Sequence, residues 1–486
     1  MRIIASKLKI NFSQLQRTFS TTQRFDKDAQ ICVVGAGPAG FYVAQHLTKA
    51  LPEARIDIFD RWPVPFGLVR FGVAPDHPEV KNVINTFTKT ARNPRVRFVG
   101  NVCLGKDVSL TELQRCYHAV VLTYGAEQDR QLGLPGENLD NIISARSFVG
   151  WYNGVPGDEN LPVNLDTDTA VILGQGNVAL DVARLLLSPV DALKATDITA
   201  HAIEALSRSK VKRVLLVGRR GPLQAAFTIK ELREMLKLPN CRTVFKPSDF
   251  TGVREALPGI VRPRKRLTEL LVSAALDPPS EEQAQKWQQA ERSFEPVFLR
   301  NPAAFVPSSS VPGAVGGVRL NVTRLVGEVG ENQTAEPTGE FQDIACGLAL
   351  RSIGYKSIAA DPDIPFDSQK GVINNSIGRV KGLPGVYCSG WVSTGPVGVL
   401  VSTMGNAFDL GRLLVKDLSD GSLQCDKMKP GFKEIARILD DKGVQHVSFS
   451  DWERIDAEEQ RRGNLVGKPR EKIIAVKEML KIASDD

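Results

Sequence analysis

The stretch Gln30-Ile-Cys-Val-Val-Gly-Ala-Gly-Pro-Ala-Gly40 contains the pattern that decides the fold. Its first five residues form a short apolar run, which predicts a buried strand, and three glycines follow at once. A helical stretch (41–49) comes next, and a second apolar run (54–59) ends at Asp60. Strand, glycine-rich turn, helix and strand, with an acid 20 residues after the last glycine, form the βαβ fingerprint of a dinucleotide-binding unit.

The glycines of this turn, Gly35, Gly37 and Gly40, allow backbone N–H groups to approach a pyrophosphate at the start of a helix, where the helix dipole favours negative charge. Asp60 is placed to accept hydrogen bonds from a ribose. The sequence motif Gly-x-Gly-Pro-Ala-Gly is widespread in FAD proteins, so we expect FAD at this turn. The alternative is a glycine-rich turn that binds nothing.

A second turn of this kind, Gly174-Gln-Gly-Asn-Val-Ala179, follows an apolar run (169–173) and precedes a helical stretch (180–187). The next clear strand (211–217) ends at Arg219 and Arg220, with no acid there. A carboxylate at that point would repel a 2′-phosphate, whereas two guanidinium groups can bind it, so the pattern predicts NADP(H). The alternative is a pair of solvated turn residues. Glu231, on a predicted helix (227–236), could reach the nicotinamide half or a local lysine.

Two segments far apart in the chain look like parts of the first site. One is a strand ending in a tight turn (119–126), and the other is a strand (385–389) followed by Gly390-Trp391 and a glycine-dense turn (395–400). We therefore predict an α/β protein with two Rossmann-like three-layer dinucleotide-binding domains, the NADP domain inserted into the FAD domain. The predicted bounds are 28–127 and 354–486 for the FAD-binding domain and 128–353 for the NADP-binding domain.

Residues 1–24 carry five basic side chains, six Ser or Thr and no acid, with apolar residues every three or four positions. This composition predicts a mitochondrial transit peptide rather than a disordered basic tail. It also accounts for most of the formal net charge of +7 and leaves +2 on residues 25–486. No run of 18 apolar residues predicts a membrane span.

The seven cysteines are scattered, with no Cys-x-x-Cys pair. This spacing argues against a zinc ribbon, an iron–sulfur cluster bound by this chain, and a redox dithiol, and we predict no metal site. Outside the nucleotide sites, Ser450 and Glu453 predict a capping box at the start of a C-terminal helix, and the polar stretch 276–293 predicts a surface helix.

The chain resembles the mitochondrial adrenodoxin reductase family of NADPH-dependent ferredoxin reductases, from about residue 29 to residue 480. Long strings are more specific than a glycine motif alone. Those that carry the resemblance are Val64-Pro-Phe-Gly-Leu-Val-Arg-Phe-Gly-Val-Ala-Pro-Asp-His-Pro-Glu-Val-Lys-Asn82, Gly174-Gln-Gly-Asn-Val-Ala-Leu-Asp-Val-Ala-Arg184, Gly218-Arg-Arg-Gly-Pro-Leu-Gln224, Phe227-Thr-Ile-Lys-Glu-Leu-Arg233, Ser352-Ile-Gly-Tyr-Lys356 and Phe449-Ser-Asp-Trp-Glu453.

The resemblance implies contacts to both cofactors. Those to FAD are implied at Ala39, Asp60, Leu68, Leu104, Trp391, Gly398, Val399 and Leu400. Those to NADP(H) are implied at Gln175, Gly176, Asn177, Val178, Arg219, Arg220, Glu231 and Gly398. The family more often has Glu where this chain has Asp60, and we expect the shorter carboxylate to retain FAD binding.

The implied reaction is hydride transfer from NADPH to FAD, followed by single-electron transfer to a [2Fe–2S] ferredoxin that feeds haem mono-oxygenases, including those of steroid metabolism, or iron–sulfur assembly. Asp181 and His77 are the candidates for proton handling near the flavin, although Asp76-His77-Pro78-Glu79 is also typical of a helix start with Pro in the first turn. The resemblance favours the basic run 262–266 as a docking face for an acidic ferredoxin, with Arg262 and Arg266 its main contacts. We expect the mitochondrial matrix, with peripheral association with the inner membrane left open.

Other functions remain open at this stage. Within enzymes, the main alternative is another two-dinucleotide flavoprotein, such as a glutamate-synthase-type reductase subunit, although those usually carry iron–sulfur cysteines of their own. From another class, the chain could be a non-catalytic NADP-sensing or scaffold protein. The missing dithiol excludes a disulfide reductase, and no recognised motif supports nucleic-acid binding despite the pI near 8.9.

Overall fold

Residues 28–484 of the protein are described by a computed structural model, so the predicted transit segment (1–24) lies outside the described residues. Two large sheets dominate this part of the chain. The first sheet has seven strands in the order β18 (Asn375–Ser376), β19 (Arg379–Val380), β20 (Val386–Cys388), β4 (Ala119–Leu122), β1 (Gln30–Val34), β2 (Arg55–Phe59) and β3 (Val96–Val99). It is parallel except at β18 and β19, which pair antiparallel, and the second sheet is parallel throughout.

The second sheet has six strands, all parallel to their neighbours. Their order is β6 (Ile142–Ser144), β14 (Leu348–Arg351), β7 (Thr169–Leu173), β8 (Arg213–Val217), β10 (Arg292–Val297) and β9 (Cys241–Thr243). A third, antiparallel sheet consists of β11 (Arg300–Pro307), β12 (Val315–Val326) and β13 (Thr334–Ala345). Two small strand pairs complete the described strands: β5 (Gln128–Asp129) with β15 (Tyr355–Lys356), and β16 (Phe366–Asp367) with β17 (Val372–Ile373).

Helices connect the parallel strands and cover the sheets. In the first half of the chain they are α1 (Pro38–Ala50), α2 (Leu68–Phe71), α3 (Pro78–Lys81), α4 (Ile84–Ala91), α5 (Leu110–Cys116), α6 (Ala145–Asn153), α7 (Asn177–Leu187), α8 (Val190–Lys194), α9 (Ala200–Ser207) and α10 (Ile229–Leu236). In the second half they are α11 (Val253–Ala256), α12 (Arg264–Leu276), α13 (Glu281–Gln289), α14 (Trp391–Thr394), α15 (Leu400–Ser419), α16 (Phe432–Asp441), α17 (Phe449–Leu465) and α18 (Val476–Ser484). None of these described helices is both long and apolar enough to cross a bilayer.

The central strands β1 and β7 are buried on both faces, which explains why they are almost uniformly apolar. In β1, Ile31 and Val33 pack into one apolar cluster with the helices around Phe41, whereas Cys32 packs on the opposite face. In β7, alternate residues likewise face two clusters. The second of these lies against the antiparallel sheet and contains Phe305, so a sheet rather than a helix layer covers this face.

The chain passes between the two large sheets at β5 and returns at β15, and these two crossings pair with each other. Tyr355 lies opposite Asp129 and Lys356 lies opposite Gln128 in an antiparallel ribbon. Arg351, at the end of β14, pairs with Asp129 at 3.1 Å. The chain therefore leaves the first sheet and re-enters it at one place.

Candidate functional site

The first glycine turn lies at the carboxyl end of β1, where the loops after β4 and β20 also arrive. Gly35 has a φ of +110°, and a Cβ there would lie 2.6 Å from the Thr123 carbonyl carbon, so only glycine fits. A Cβ on Gly37 would instead meet no atom within 4 Å. Helix α1 starts directly after Gly37 without a side-chain cap. The turn is therefore open on the side where the helix begins. The first N–H groups of the helix are available there to bind an anion.

Asp60 holds this turn from the end of β2. Its Oδ2 accepts a hydrogen bond from the Ala36 N–H at 2.8 Å, and its Oδ1 accepts one from the Trp62 N–H at 2.9 Å. Burial raises the pKa of this carboxyl to about 6, against the lowering effect of the two N–H donors. Each oxygen of a carboxylate has a second lone pair, so Asp60 remains able to accept a ribose hydroxyl.

The segments predicted to complete the first site do meet the first turn. A Cβ on Gly390, whose φ is +70°, would lie 2.8 Å from the Ala39 Cβ. A Cβ on Gly67 would lie 3.0 Å from the Gly37 Cα, which brings Leu68 beside the turn. Trp391 follows Gly390 and lies 5.7 Å from the Tyr355 ring, centroid to centroid.

Two further predicted FAD contacts lie around this site. Leu104 is buried in the apolar cluster that contains the last residues of β1 and β4, Val34 and Leu122. Gly398 and Val399 are exposed at the start of α15, where the Val399 N–H donates to Ser402 Oγ at 2.9 Å. Leu400 is the first residue of that helix. The structure thus brings Leu104 to the carboxyl edge of the sheet and leaves the 398–400 turn on the surface.

The second glycine turn repeats the construction of the first. A Cβ on Gly174, with a φ of +129°, would lie 2.1 Å from the Ser352 carbonyl oxygen, whereas a Cβ on Gly176 would meet no atom within 4 Å. The Gln175 side chain is hydrogen-bonded within the protein, because its Nε2 donates to the carbonyls of Leu216 at 3.4 Å and Val297 at 3.3 Å.

The neighbouring residues of the second turn are also engaged. Asn177 Oδ1 accepts from the Thr228 N–H at 2.8 Å. Val178 packs, partly buried, against the core of the second sheet. Since the Gln175 and Asn177 side chains hold the turn itself, the backbone is what this turn offers to a dinucleotide.

Arg219 and Arg220 follow β8 at the same edge of the second sheet. Arg219 is exposed and Arg220 is half-buried. Within residues 28–484, no carboxylate forms an ion pair with either guanidinium, although most exposed arginines of this chain have such a partner. Two adjacent unpaired guanidinium groups fit a phosphate, which both can bind through charged hydrogen bonds.

A buried ionic network around Arg184 on α7 joins that helix to α10 and to the loop before α3. This side chain is only 5% exposed and pairs with Asp76 at 2.6 Å, Asp181 at 2.7 Å and Glu231 at 3.2 Å. Burial raises the pKa of Asp181 and of Glu231. Burial also opposes ionisation of Asp76, but its hydrogen bonds with Arg184 and the positive charge of that guanidinium together outweigh this and lower its pKa. Protons are therefore held more readily at Asp181 and Glu231 than at Asp76.

His77 belongs to the same network. Its Nε2 lies 2.7 Å from Glu234 Oε2, and its Nδ1 lies 3.4 Å from Arg184 Nη2. His77 does occupy the position before α3, as the Pro78 pattern indicated, but its side chain makes no capping hydrogen bond. Glu231 pairs with Arg184 rather than with a lysine. The structure thus brings Asp181, His77 and Glu231 together.

Little in the sequence pointed to the other members of this network. Asp181 and Arg184 are three residues apart on a helix, which suggests a local pair, but Asp76 and Glu234 come from distant segments. His77, Glu231 and Glu234 place ligand atoms within 4.8 Å of one another. The Arg184 guanidinium, 3.2 Å from Glu231 and 3.6 Å from Glu234, would repel a metal ion at that position.

The basic run 262–266 lies at the start of α12, with Arg262 and Arg266 exposed. In the described part of the chain, Arg264 pairs with Glu331 at 3.4 Å, whereas Arg262 and Arg266 form no ion pair. Basic side chains are unfavourable at a helix N-terminus, because the dipole is positive there. The local stability of the helix does not explain these charges.

Comparison with known protein families supports the two-turn architecture. A family model described as an NAD(P)-binding Rossmann-like domain matches residues 33–99, from the end of β1 through α1 and β2 to β3. A solved structure of FprA from Mycobacterium tuberculosis in complex with NADPH superposes with a TM-score of 0.87 at 36% identity, over 94% of this chain and 100% of that one.

Full-length relatives are closer in sequence. The chain is 57% identical over 454 residues to a Salvelinus fontinalis protein named NADPH:adrenodoxin oxidoreductase, mitochondrial, with 93% of this chain and 91% of that protein covered. A Homo sapiens protein of the same name is 56% identical over 464 residues, with 96% and 93% covered. The Drosophila melanogaster protein of that name is 50% identical over 490 residues, with 99% and 98% covered.

Proposed function

Because this chain belongs to the mitochondrial NADPH:adrenodoxin oxidoreductase family, we propose that it is an FAD-containing reductase that oxidises NADPH and reduces a [2Fe–2S] ferredoxin. One observation carries the proposal: two glycine turns of the same construction, each open beside its second glycine and each followed by a helix start. Such a pair suits two dinucleotides and not one.

The first turn binds FAD. Gly35, Gly37 and Gly40 bring backbone N–H groups to the pyrophosphate, Asp60 accepts the ribose, and the open space beside Gly37 fits a phosphate group. The remaining contacts come from residues at or around the carboxyl edge of the first sheet, namely Ala39, Leu68, Leu104, Trp391, Gly398, Val399 and Leu400.

The second turn binds NADP(H) through the backbone of Gln175, Gly176, Asn177 and Val178. Arg219 and Arg220 bind the 2′-phosphate, and their lack of carboxylate partners among the described residues supports this role. Glu231 and Gly398 complete the nicotinamide end. The chemistry that the bound nicotinamide and flavin supply is hydride transfer followed by release of single electrons.

Asp181 and His77 handle protons beside the reacting rings. Their shared contacts with Arg184 support this role, because the network holds both side chains in one place. The raised pKa of Asp181, caused by burial, makes it the better proton donor of the two acids that contact Arg184 most closely.

The ferredoxin docks on the basic start of α12, through Arg262 and Arg266. Such a basic face attracts an acidic partner. Because these charges oppose the helix dipole, they favour binding of a partner rather than the stability of the helix. We further place the protein in the mitochondrial matrix, where its ferredoxin serves haem mono-oxygenases or iron–sulfur assembly.

We also propose that the domains divide as the sequence indicated. The FAD-binding domain comprises 28–127 and 354–486, and the NADP-binding domain comprises 128–353. The single crossing place at the β5–β15 ribbon supports these bounds, because both predicted boundaries adjoin it.

The test is spectroscopic and then kinetic. The purified protein should show a flavin absorption band that NADPH bleaches without oxygen, and it should reduce a mitochondrial [2Fe–2S] ferredoxin with NADPH far faster than with NADH. A protein without flavin, or with flavin that NADPH does not bleach, would be the non-catalytic NADP-sensing or scaffold protein instead. Reduction by NADH at the same rate would contradict the role of the arginine pair.

A further inference from the structure

We infer that Thr323 and Gln224 are positioning residues for coenzyme choice: they fix the turn that presents Arg219 and Arg220, and so set the preference for a 2′-phosphate. The inference rests on the proposed NADP(H) site. Both residues lie outside the glycine turns, and Thr323 is more than 100 residues away from the arginines in the chain.

Thr323 reaches the turn from the antiparallel sheet. Its Oγ1 donates to the Arg219 carbonyl at 2.7 Å, and its side chain is nearly buried, with the residue only 4% exposed. The register between β12 and β13 shifts between Asn321 and Thr323. Irregularities of this kind redirect side chains, and here the threonine faces the turn rather than its own sheet.

Leu299 fixes the next peptide of the turn. Its N–H donates to the Arg220 carbonyl at 3.1 Å, and its own carbonyl accepts from the Thr323 N–H at 2.9 Å. Leu299 has a φ of +56°, which a branched residue rarely adopts. Backbone strain of this kind persists where the surroundings impose it, and it often marks functional sites.

Gln224 closes the turn from its other end. Its Oε1 accepts from the Gly221 N–H at 3.0 Å, and its Nε2 donates to the Gly330 carbonyl at 2.6 Å. Gln224 is 6% exposed, and Gly330 belongs to the hairpin tip between β12 and β13. The antiparallel sheet therefore holds the turn at both ends, through Thr323 and through its hairpin tip.

This arrangement acts on affinity through pre-organisation. Long arginine side chains bind a phosphate well only if their backbone starts from a fixed position, since ordering it on binding costs free energy. The carbonyl of Arg219 also loses its side-chain donor if the hydroxyl of Thr323 is removed, and the turn then rearranges to satisfy it. Loss of the contact from Thr323 or from Gln224 should weaken binding of the 2′-phosphate, although neither side chain contacts the phosphate itself.

The experiment compares 2′,5′-ADP with 5′-AMP, which lacks the 2′-phosphate, in calorimetric titrations of the flavin-loaded protein. Thr323→Val keeps the shape and removes the donor, and it should weaken 2′,5′-ADP binding about fivefold while leaving 5′-AMP within about twofold. Thr323→Ser should restore the difference. The matched control is Thr338→Val on β13, since Thr338 Oγ1 donates to Val322, within the hairpin itself, at 3.1 Å.

Gln224→Leu provides the second variant, with the same expected signature, if Thr323→Val does not fold. Equal loss of both nucleotides, or no loss of 2′,5′-ADP, overturns the inference. Arg219→Ala and Arg220→Ala separate the two proposals. If they abolish the preference and Thr323→Val and Gln224→Leu do not, only the positioning role fails; if they leave the preference intact, the proposed 2′-phosphate site fails and the inference with it.

Discussion

At the scale of single residues, Asp60 shows how one carboxylate can serve both fold and ligand. It holds the first glycine turn through Ala36 and the following loop through Trp62. Because burial raises its pKa to about 6, its charge changes close to physiological pH. An acid whose pKa rises on folding stabilises the folded state most below its ordinary value of 3.8, and this contribution is lost as pH rises through about 6.

FAD binding should follow the opposite trend. When Asp60 is protonated, one of its oxygens carries a hydrogen and becomes a donor, while two backbone N–H donors still face the carboxyl group. It therefore accepts a hydrogen bond from a ribose hydroxyl less well. We expect FAD rebinding to the flavin-free protein to weaken on the order of tenfold between about pH 7.5 and pH 5. The measurement is flavin fluorescence quenching during titration with the flavin-free protein.

Two variants serve as controls for this pH effect. Asp60→Asn should bind FAD weakly with no change over this range, because an amide does not titrate. Asp60→Glu, which keeps a carboxylate at this position, should retain the pH response. A wild-type protein as insensitive to pH as Asp60→Asn would show that Asp60 is not the titrating group.

The same residue illustrates how far sequence reasoning reaches at this scale. The position of Asp60 at the end of a strand, 20 residues after Gly40, follows from the motif alone. Its contact with Trp62 is local, and its contact with Ala36 follows from the parallel pairing of β1 with β2, so both could have been anticipated. The network around Arg184 could not, because Asp76 and Glu234 reach it only through tertiary packing.

At the scale of elements, two of the ion pairs on α17, one buried and one exposed, should differ greatly in their effect on stability. Glu459 is 0% exposed and accepts from Arg70 Nη1 at 3.0 Å and from the Ile473 N–H at 3.0 Å. Glu459→Gln leaves the buried Arg70 charge without its counter-charge. We expect a loss of about 3–5 kcal/mol in the free energy of unfolding, measured with urea.

The matched control lies on the same helix. Glu453 pairs with Arg92, whose side chain is 66% exposed, at 2.6 Å. Glu453→Gln should change the free energy of unfolding by less than about 1 kcal/mol, because water screens an exposed pair. Similar losses in both variants would mean that the buried pair contributes no more than the exposed one.

Elements were predicted well where the pattern is local. The strands before both glycine turns (30–34 and 169–173) have the predicted bounds, and the polar helix in 276–293 is present as α13. The capping box at Ser450 and Glu453 was wrong: Ser448 caps α17, with Asp451 as its partner, and Ser450 lies inside the helix. Both serines fit the spacing rule, and only the course of the preceding chain selects between them.

The antiparallel sheet β11–β13 was not predicted at all. Its outer strand, β13, is almost entirely exposed, so its sequence lacks the apolar alternation that marks a strand with one buried face. The antiparallel sheet covers the second large sheet through Phe305, Val318 and Leu320, which are spread over two strands. Only the packed structure brings them together.

At the scale of the whole molecule, the formal charge of +7 mostly belongs to residues 1–24, so docking of an acidic partner depends on a local face. Arg262→Gln with Arg266→Gln should lower kcat/KM for ferredoxin on the order of tenfold at low salt. Turnover with a small neutral quinone should not change. In the wild type, raising ionic strength should weaken ferredoxin-linked turnover far more than quinone turnover.

The control for this electrostatic effect is a variant with the same loss of charge elsewhere. Arg208→Gln with Lys286→Gln removes two exposed basic groups that already pair with Glu204 and Glu282. This variant should keep the ferredoxin rate. If salt slows the quinone and ferredoxin reactions equally, Arg262 and Arg266 do not form the docking face.

The order of strands in the first large sheet also governs when that sheet can be completed. Strand β4 lies between β1 and β20, yet β20 follows the entire second sheet in the chain. As the polypeptide is synthesised from its N-terminus, one edge of β4 therefore waits unpaired until Val386–Cys388 emerge. An open apolar edge is prone to wrong pairing and aggregation. The nascent chain is thus most exposed to wrong pairing and aggregation between the synthesis of β4 and that of β20. Chaperones that shield strand edges act most usefully during this interval.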